Sequence, residues 1–355
     1  MNYKKTVLKN GMRIITVPMS NNPTVTVMVL VEAGSKYETK DINGISHFLE
    51  HLCFKGTKKR PTAFDITKEL DGLGAQSSAF TMEEVTGYYA KAHKKHLPKL
   101  LDVISDIYAN SVFDPKEIEK EKGVIIDELN MYEDAPMMHV RDIFMYALYG
   151  DQPAGWNIGG SKKNVKNMTR GDIISYREKL YVAEATTVVV SGGGFETKKL
   201  VKDIEKKFAN IVDKKKATKK KVKSTQKKPN IFLEQKKTDQ THMVLGVKTY
   251  DIHSTNNPAL SVLSGVLGKG MSSRLFQKIR DEMGVGYYVR VDNQALTDHG
   301  FFSVHTGVSN DRVKEVISVI LKECKRLTVE EVSEKELKKV KDFLTGNFAL
   351  SLESS

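Results

Sequence analysis

The chain opens with alternating apolar and polar positions, which is the pattern of β-strands. The first residues and the run MRIITVP flank Asn10-Gly11, a dipeptide typical of a tight hairpin turn. A second β-rich run, TVTVMVLVEAG, ends at Gly34. The sequence therefore predicts that the chain begins as an antiparallel sheet.

Further along, apolar residues recur at intervals of three and four, the spacing of one face of an α-helix. The segments with this pattern are Ile45–Phe54, Ala63–Leu73, His96–Ser111, Asp114–Tyr132, Thr169–Leu180 and Thr197–Phe208. Strands are predicted at Glu84–Ala92 and in ATTVVVSGGG, between the last two helices. Strands and helices thus mix without a strict βαβ alternation.

The second half of the chain resembles the first. GYYAKAHKKHLPKLLDVISDIY from Gly87 and GFFSVHTGVSNDRVKEVISVIL from Gly300 share a strand followed by an amphipathic helix. We predict an α+β fold with two related domains, each a mostly antiparallel sheet with helices packed on one face. The predicted divisions are a catalytic domain at 1–212, a Lys-rich linker at 213–228, and a degenerate domain at 229–355 that is expected to be truncated at its C-terminus.

The net charge of +12 changes this picture little, because it is local. The segment DKKKATKKKVKSTQKK alone holds nine lysines against one aspartate, so the rest of the chain is close to neutral for its size. That segment contains no aromatic residue on which a base could stack. We expect a solvated linker and no specific nucleic-acid partner.

No run of about 18 to 20 apolar residues appears, so no membrane span is expected. The N-terminus is basic but lacks the apolar core and cleavage site of a secretion signal, which favours the cytoplasm. The two cysteines, Cys53 and Cys324, lie far apart and outside any CxxC pattern. Any metal site must therefore be built from His and carboxylate ligands.

Such ligands occur in HFLEH, inside the predicted helix that starts at Ile45. Residues four apart share one helix face, so His47 and His51 can present two imidazoles to one ion, with Glu50 beside them. Zinc accepts imidazole and carboxylate ligands, and a catalytic zinc site uses three protein ligands and one water. A third ligand must come from another element.

The helix predicted at Asp114–Tyr132 offers Glu117, Glu119, Glu121 and Glu128. Glu128 is the best candidate ligand, because the apolar residues around it predict partial burial. Glu121 lies two turns back on the same face. Glu50 would then act as general base toward a zinc-bound water and return the proton to the leaving amine.

Five segments, in this order, resemble the pitrilysin and insulinase-like metallopeptidases, and most closely the branch of mitochondrial processing peptidase and its bacterial relatives. They are LKNGMRIITVP, GSKYETKDINGISHFLEHLCFKGT, TMEEVTGYYA, EKGVIIDELNMYEDAP and LGKGMSSRLFQKIRDEMGVGYYV. The resemblance implies a zinc metalloendopeptidase with one Zn²⁺ per chain. It implies His47, His51 and Glu128 as ligands, Glu50 as base and Glu121 as an accessory catalytic acid.

The resemblance also implies residues that bind the peptide substrate. Arg280 would hold substrate carbonyls and Tyr287, seven residues later, the transition-state oxyanion, while Ser78 and Ala79 would form the edge to which the substrate adds as a strand. Ser78 departs from the Asn usual in the family, which predicts altered affinity and not loss of activity, since strand addition relies on backbone groups.

The second half contains no HxxEH, so only the first domain is expected to carry zinc. A related chain, identical or different, is the implied partner, giving a homodimer or a heterodimer. The alternative hypothesis is a noncatalytic scaffold or partner subunit of the same fold. Loss of zinc ligands would mark that class, and the ligand set here is intact.

Overall fold

A computed structural model describes residues 2–352, and in it the chain forms two compact units. The first unit comprises residues up to Met131 together with Trp156–Lys220, and the second comprises Tyr132–Gly155 with the residues from Lys221 onward. The division at Lys220 falls inside the predicted linker. Residues 132–155, which the sequence division placed in the first domain, cluster with the second unit.

Strands occur where the sequence predicted them at the start of the chain, near Glu84–Ala92, in ATTVVVSGGG and after Gly300, and the structure adds further strands. The strands are β1 (Lys4–Val7), β2 (Arg13–Pro18), β3 (Thr24–Val31), β4 (Gln76–Thr81), β5 (Thr86–His93), β6 (Thr186–Gly192), β7 (Gln240–Thr249), β8 (Gly286–Ala295) and β9 (Gly300–Ser309).

The helices extend beyond the predicted set. They are α1 (Ile45–Leu52), α2 (Ala63–Gly72), α3 (Leu97–Ala109), α4 (Pro115–Asp134), α5 (Pro136–Tyr149), α6 (Lys162–Asn167), α7 (Arg170–Leu180), α8 (Thr197–Lys207), α9 (Asn257–Gly268), α10 (Arg274–Phe276), α11 (Val313–Arg326) and α12 (Glu334–Ser351). A π-helical turn, Gln277–Glu282, follows α10. Short 3₁₀ turns occur at Ser35–Tyr37, Lys40–Ile42, Lys94–His96, Pro153–Gly155, Ala183–Ala185 and Asn310–Arg312.

The first unit is built on a six-stranded sheet in the order β1-β2-β6-β3-β5-β4. Its pairs are antiparallel except that β2 and β6 run parallel. Strand β3 and helix α3 both contribute fully buried residues to the core, among them Val27, Val29, Leu100 and Ile104. β4 lies at one end of the sheet, and within residues 2–352 its strand pairing is with β5 alone.

The second unit contains a three-stranded antiparallel sheet in the order β7-β9-β8. Strand β9 is followed by a 3₁₀ turn and the amphipathic helix α11, just as β5 is followed by a 3₁₀ turn and α3. The predicted α+β class with two related domains, mostly antiparallel sheets and packed helices is confirmed.

Helix α5 belongs to the second unit because of its side chains. The buried Phe144 packs edge-on against Phe301 of β9, with ring centroids 5.6 Å apart. The hydroxyl of Tyr149 donates to the backbone oxygen of Gly300, 2.9 Å away. These contacts join residues distant in the chain, which explains why sequence periodicity did not assign this helix.

The Lys-rich segment has no helix or strand from Asp213 to Lys228, but its first part is attached to the first unit. Lys216 pairs with Glu32 at 2.8 Å, and Lys219 pairs with Glu84 at 3.0 Å. Among the described residues, every helix is too short or too polar to span a bilayer.

Candidate metal centre

Helix α1 carries HFLEH and is fixed in the core by its apolar face. Ile45, Phe48 and Leu49 have no exposed surface, and Leu52 retains 1%. Burial of such side chains contributes about 1.5–3 kcal/mol each. Because they occupy one face of the helix, His47, Glu50 and His51 are directed away from the core toward α4 and β4.

Three side chains from α1 and α4 meet at one point. The Nε2 atoms of His47 and His51 lie 3.6 and 3.5 Å from Oε2 of Glu128. All three donor atoms fall within 4.8 Å of one another. Zinc–ligand bonds of about 2.0–2.2 Å in tetrahedral geometry place ligand atoms roughly 3.4 Å apart. The spacing and the donor set, two imidazoles and one carboxylate, therefore fit a zinc ion.

Glu121 supports His51 from the side opposite the cluster. Its Oε2 lies 3.1 Å from Nδ1 of His51, and its Oε1 lies 2.6 Å from Nζ of Lys55. Burial opposes ionisation of this 4%-exposed side chain, but the hydrogen bonds to His51 and Lys55 outweigh it and lower the pKa of Glu121. A carboxylate on Nδ1 fixes the tautomer that leaves Nε2 free for a metal.

These contacts place Glu121 beside His51 and Lys55, and its accessory acid role stays a prediction from the family resemblance. The Glu121 carboxylate faces Nδ1 of His51, the ring nitrogen directed away from Glu128. Lys55 also belongs to the site, because its ammonium group forms an ion pair with Oε1, the second carboxylate oxygen of Glu121.

His47 is held differently. Its Nδ1 is buried and has no hydrogen-bond partner among the described residues. Burial, with a smaller contribution from His51, lowers the pKa of His47 to about 4. The imidazole is therefore neutral at pH 7, and a metal need not displace a proton from it.

The N-terminus of α1 is capped by the carboxylate of Glu38, which lies in the loop before the helix. Glu38, 3% exposed, accepts hydrogen bonds from the backbone N–H groups of Gly44 and Ser46, at 2.8 and 2.9 Å, and from the amide of Asn43, at 2.9 Å. Burial raises the pKa of Glu38, and these donors act against that rise. Since a helix N-terminus favours negative charge, Glu38 anchors the turn that precedes His47.

Gly44, the residue before α1, adopts φ +100°, and a Cβ there would lie 2.5 Å from the backbone oxygen of Gly159. Only glycine satisfies both requirements. The backbone at the start of α1 thus packs closely against the loop that contains Gly159.

Glu50 projects toward the edge of the sheet. Its Oε2 accepts a hydrogen bond of 2.5 Å from the hydroxyl of Thr81, at the end of β4. Burial raises the pKa of Glu50, while the Thr81 hydrogen bond and the nearby His51 act in the opposite direction. A carboxyl group whose pKa is shifted toward neutrality is suited to proton transfer.

The predicted peptide-binding residues lie in two places. Ser78 and Ala79 are on β4, the end strand of the first unit's sheet, with Ser78 exposed. Arg280 and Tyr287 are in the second unit, where Nη1 of Arg280 donates to the backbone oxygen of Tyr287 at 2.7 Å. The Tyr287 side chain is 66% exposed.

Sequence reasoning missed Glu38, Lys55 and Thr81. Lys55 lies three residues beyond the end of α1, so helical spacing did not mark it. No local pattern marks Glu38 or Thr81, because their contacts depend on the loop before α1 and on the register of β4.

Two family matches cover most of the chain. Residues 13–162 match the family described as Insulinase (Peptidase family M16), and residues 167–344 match the Peptidase M16 inactive domain. The second description agrees with the absence of HxxEH in that part of the sequence.

Curated relatives with similarity over nearly the whole chain are named zinc proteases. The uncharacterized zinc protease YmxG of Bacillus subtilis is 36% identical, covering 99% of this chain and 85% of the relative. Uncharacterized zinc proteases of Rickettsia felis and Streptomyces coelicolor are 33% and 30% identical, again over 99% of this chain, and the matches span 84% and 78% of those proteins.

Solved structures agree on the fold. The crystal structure of a protease from Helicobacter pylori superposes with a TM-score of 0.90 at 25% identity, covering 100% of this chain and 86% of that one. A peptidase M16 inactive domain from Pseudomonas fluorescens superposes with a TM-score of 0.88, covering 98% and 84%, at 16% identity, where the likeness concerns the fold alone.

Proposed function

Since the chain belongs to peptidase family M16, we propose that it is a zinc-dependent metalloendopeptidase that hydrolyses peptide bonds in peptides or extended polypeptide segments. The observation that carries this proposal is the convergence of His47, His51 and Glu128 within 4.8 Å, beside the half-buried carboxylate of Glu50. The names of the curated relatives support it.

His47, His51 and Glu128 would hold one zinc ion per chain. When bound at such a site, zinc lowers the pKa of its water to about 7 and polarises the carbonyl of the scissile bond. Three protein ligands leave a position open for that water, which distinguishes a catalytic site from a structural one.

Glu50 acts as the general base and then as the acid. Its carboxylate removes a proton from the attacking water and delivers it to the nitrogen of the leaving amine, so that the carboxylate is regenerated at the end of the cycle. Burial favours this role, because it raises the pKa of Glu50 toward the working pH.

The substrate binds by strand addition along β4. This strand pairs with β5 on one side, and backbone groups of an extended peptide fit its other side. Ser78 and Ala79 are the contact positions. The roles of Arg280 and Tyr287 at substrate carbonyls and the oxyanion, and a second such chain as partner, rest on the family resemblance.

The proposal is tested by zinc content and by cleavage of a quenched fluorogenic peptide library, comparing the wild type with Glu50→Gln. We expect about one zinc per chain in both proteins, and a fall in kcat of at least about a hundredfold in the variant. The matched control is Glu119→Gln, on α4 and 70% exposed, which should cleave as the wild type does.

Two outcomes would contradict the proposal. A wild-type protein that binds no zinc loses the metallopeptidase function altogether. A wild-type protein that binds zinc but cleaves no peptide in the library supports the alternative, a noncatalytic partner subunit.

A further inference from the structure

Thr81 makes a contact that limits how Glu50 can work. Its hydroxyl lies 2.5 Å from Oε2 of Glu50. A hydroxyl has one proton and an ionised carboxylate only accepts hydrogen bonds, so Thr81 is the donor. One acceptor site of Oε2 is therefore engaged by Thr81, and this contact sets the orientation of the carboxyl group.

The position of Thr81 is fixed by the hairpin between β4 and β5. The backbone N–H of Met82 donates to the oxygen of Val85 at 2.8 Å, which closes the turn. Thr86, the residue opposite Thr81 in the ladder, is fully buried, and its hydroxyl donates to the backbone oxygen of Ala33 at 3.1 Å. These hydrogen bonds of the hairpin set the position from which the Thr81 side chain reaches Glu50.

The backbone N–H and C=O of Thr81 face away from β5. In an antiparallel pair, hydrogen-bonded and non-hydrogen-bonded residue pairs alternate. Because Met82 and Val85 are hydrogen-bonded to each other, the next pair, Thr81 and Thr86, is non-hydrogen-bonded. The N–H and C=O of Thr81 therefore point to the open side of β4, and the same alternation applies to Ala79.

We propose that Thr81 is a positioning residue that links peptide binding on β4 to the general base. Its side chain orients Glu50 by donating a hydrogen bond to Oε2, and its backbone lies on the edge that receives the substrate strand. A peptide paired with Thr81 therefore binds through backbone groups of the same residue whose hydroxyl orients Glu50. This inference rests on the proposed function, which it deepens by naming the residue that connects the two parts of the site.

The first experiment compares Thr81→Val with Thr81→Ser. Valine keeps the branched shape and removes the hydroxyl, whereas serine keeps the hydroxyl. We expect kcat to fall about 10- to 100-fold in Thr81→Val, a part of the 10²–10⁴-fold that a general base supplies. KM and zinc affinity should stay within threefold, and Thr81→Ser should restore kcat to within threefold of the wild type.

Thr241 offers a matched control. It lies on β7 of the second unit and also donates its hydroxyl to a side-chain oxygen, Oδ1 of Asn310, at 2.7 Å. Thr241→Val should leave kcat unchanged. A kcat within threefold of the wild type in Thr81→Val, equal losses in the valine and serine variants, or a parallel loss of zinc would each overturn the proposal.

The second experiment measures amide hydrogen exchange in Glu50→Gln with and without a saturating, uncleaved peptide. The Thr81 amide points away from β5, so peptide binding should slow its exchange at least tenfold. The Phe80 amide, in the neighbouring hydrogen-bonded pair, should already be protected. An unchanged Thr81 rate with peptide bound would overturn the proposed link.

A third measurement does not depend on cleavage. If Thr81 and Glu50 interact, the shifts in melting temperature caused by Thr81→Val and Glu50→Gln should be non-additive in the double variant. Strict additivity overturns the proposal even for a wild-type protein that cleaves nothing. Non-additivity in such a protein supports the contact while the proposed peptidase function fails.

Discussion

Removal of the Glu121 carboxylate should weaken zinc binding through His51. Glu121 lies 3.1 Å from Nδ1 of His51 and is 4% exposed, so water cannot readily replace it. Replacing the partner of a metal-bound histidine typically reduces metal affinity by about 10- to 100-fold. That range corresponds to about 1.4–2.8 kcal/mol.

Two variants should fall at opposite ends of this range. Glu121→Gln retains an oxygen that can accept from His51 but loses the charge, and we expect about a tenfold loss. Glu121→Ala leaves both the imidazole N–H and the ammonium of Lys55 without their carboxylate, and we expect a loss close to a hundredfold. His47, whose Nδ1 has no partner among the described residues, provides no compensation.

The assay is competition for zinc with a chelator of known affinity at fixed pH, together with circular dichroism to show that each variant is folded. Glu119→Gln is the control, because that side chain is on the same helix but 70% exposed and pairs with Lys122 instead. If Glu121→Ala competes for zinc within twofold of this control, the orienting role assigned to Glu121 is wrong.

Two further predictions concern stability. Glu38→Ala should lower the free energy of unfolding by about 2–3 kcal/mol, because it leaves buried donors of Gly44, Ser46 and Asn43 without this acceptor. Chemical denaturation measures this loss, and a loss under about 0.5 kcal/mol would contradict the prediction. In the zinc-free protein, the pKa of about 4 for His47 lies below its unfolded value of about 6.5. Between these pH values the unfolded state binds more protons than the folded state. The free energy of unfolding therefore falls as the pH drops through that window, by up to about 3 kcal/mol. Unfolding measured from pH 7 to pH 4 should show this loss in the wild type and a smaller one in His47→Gln, and equal slopes would refute the assignment.

The centre of the site could be predicted from the sequence because it depends on local geometry. The spacing of His47, Glu50 and His51 places them on one helix whatever the rest of the fold does. Glu128 followed from a second periodic helix and from its apolar neighbours. The structure brings ligand atoms of His47, His51 and Glu128 within 4.8 Å of one another, a spacing that fits a zinc ion.

The supporting residues could not be predicted in the same way. Glu38 reaches the start of α1 only because the loop before the helix folds back, and Thr81 reaches Glu50 only in one register of β4 against β5. Register follows from the burial of whole strands, which no short segment encodes. The same reason accounts for α5, whose Phe144 and Tyr149 have partners about 150 residues away.

The open side of β4 also affects how the protein behaves at high concentration. An unpaired strand edge accepts any extended backbone, including β4 of a second molecule. Gln76, Ser77 and Ser78 on this strand are exposed and uncharged, so no like charge on these three side chains repels such a copy. We therefore expect edge-to-edge association of two copies through β4 at high protein concentration, in competition with an extended peptide for the same edge.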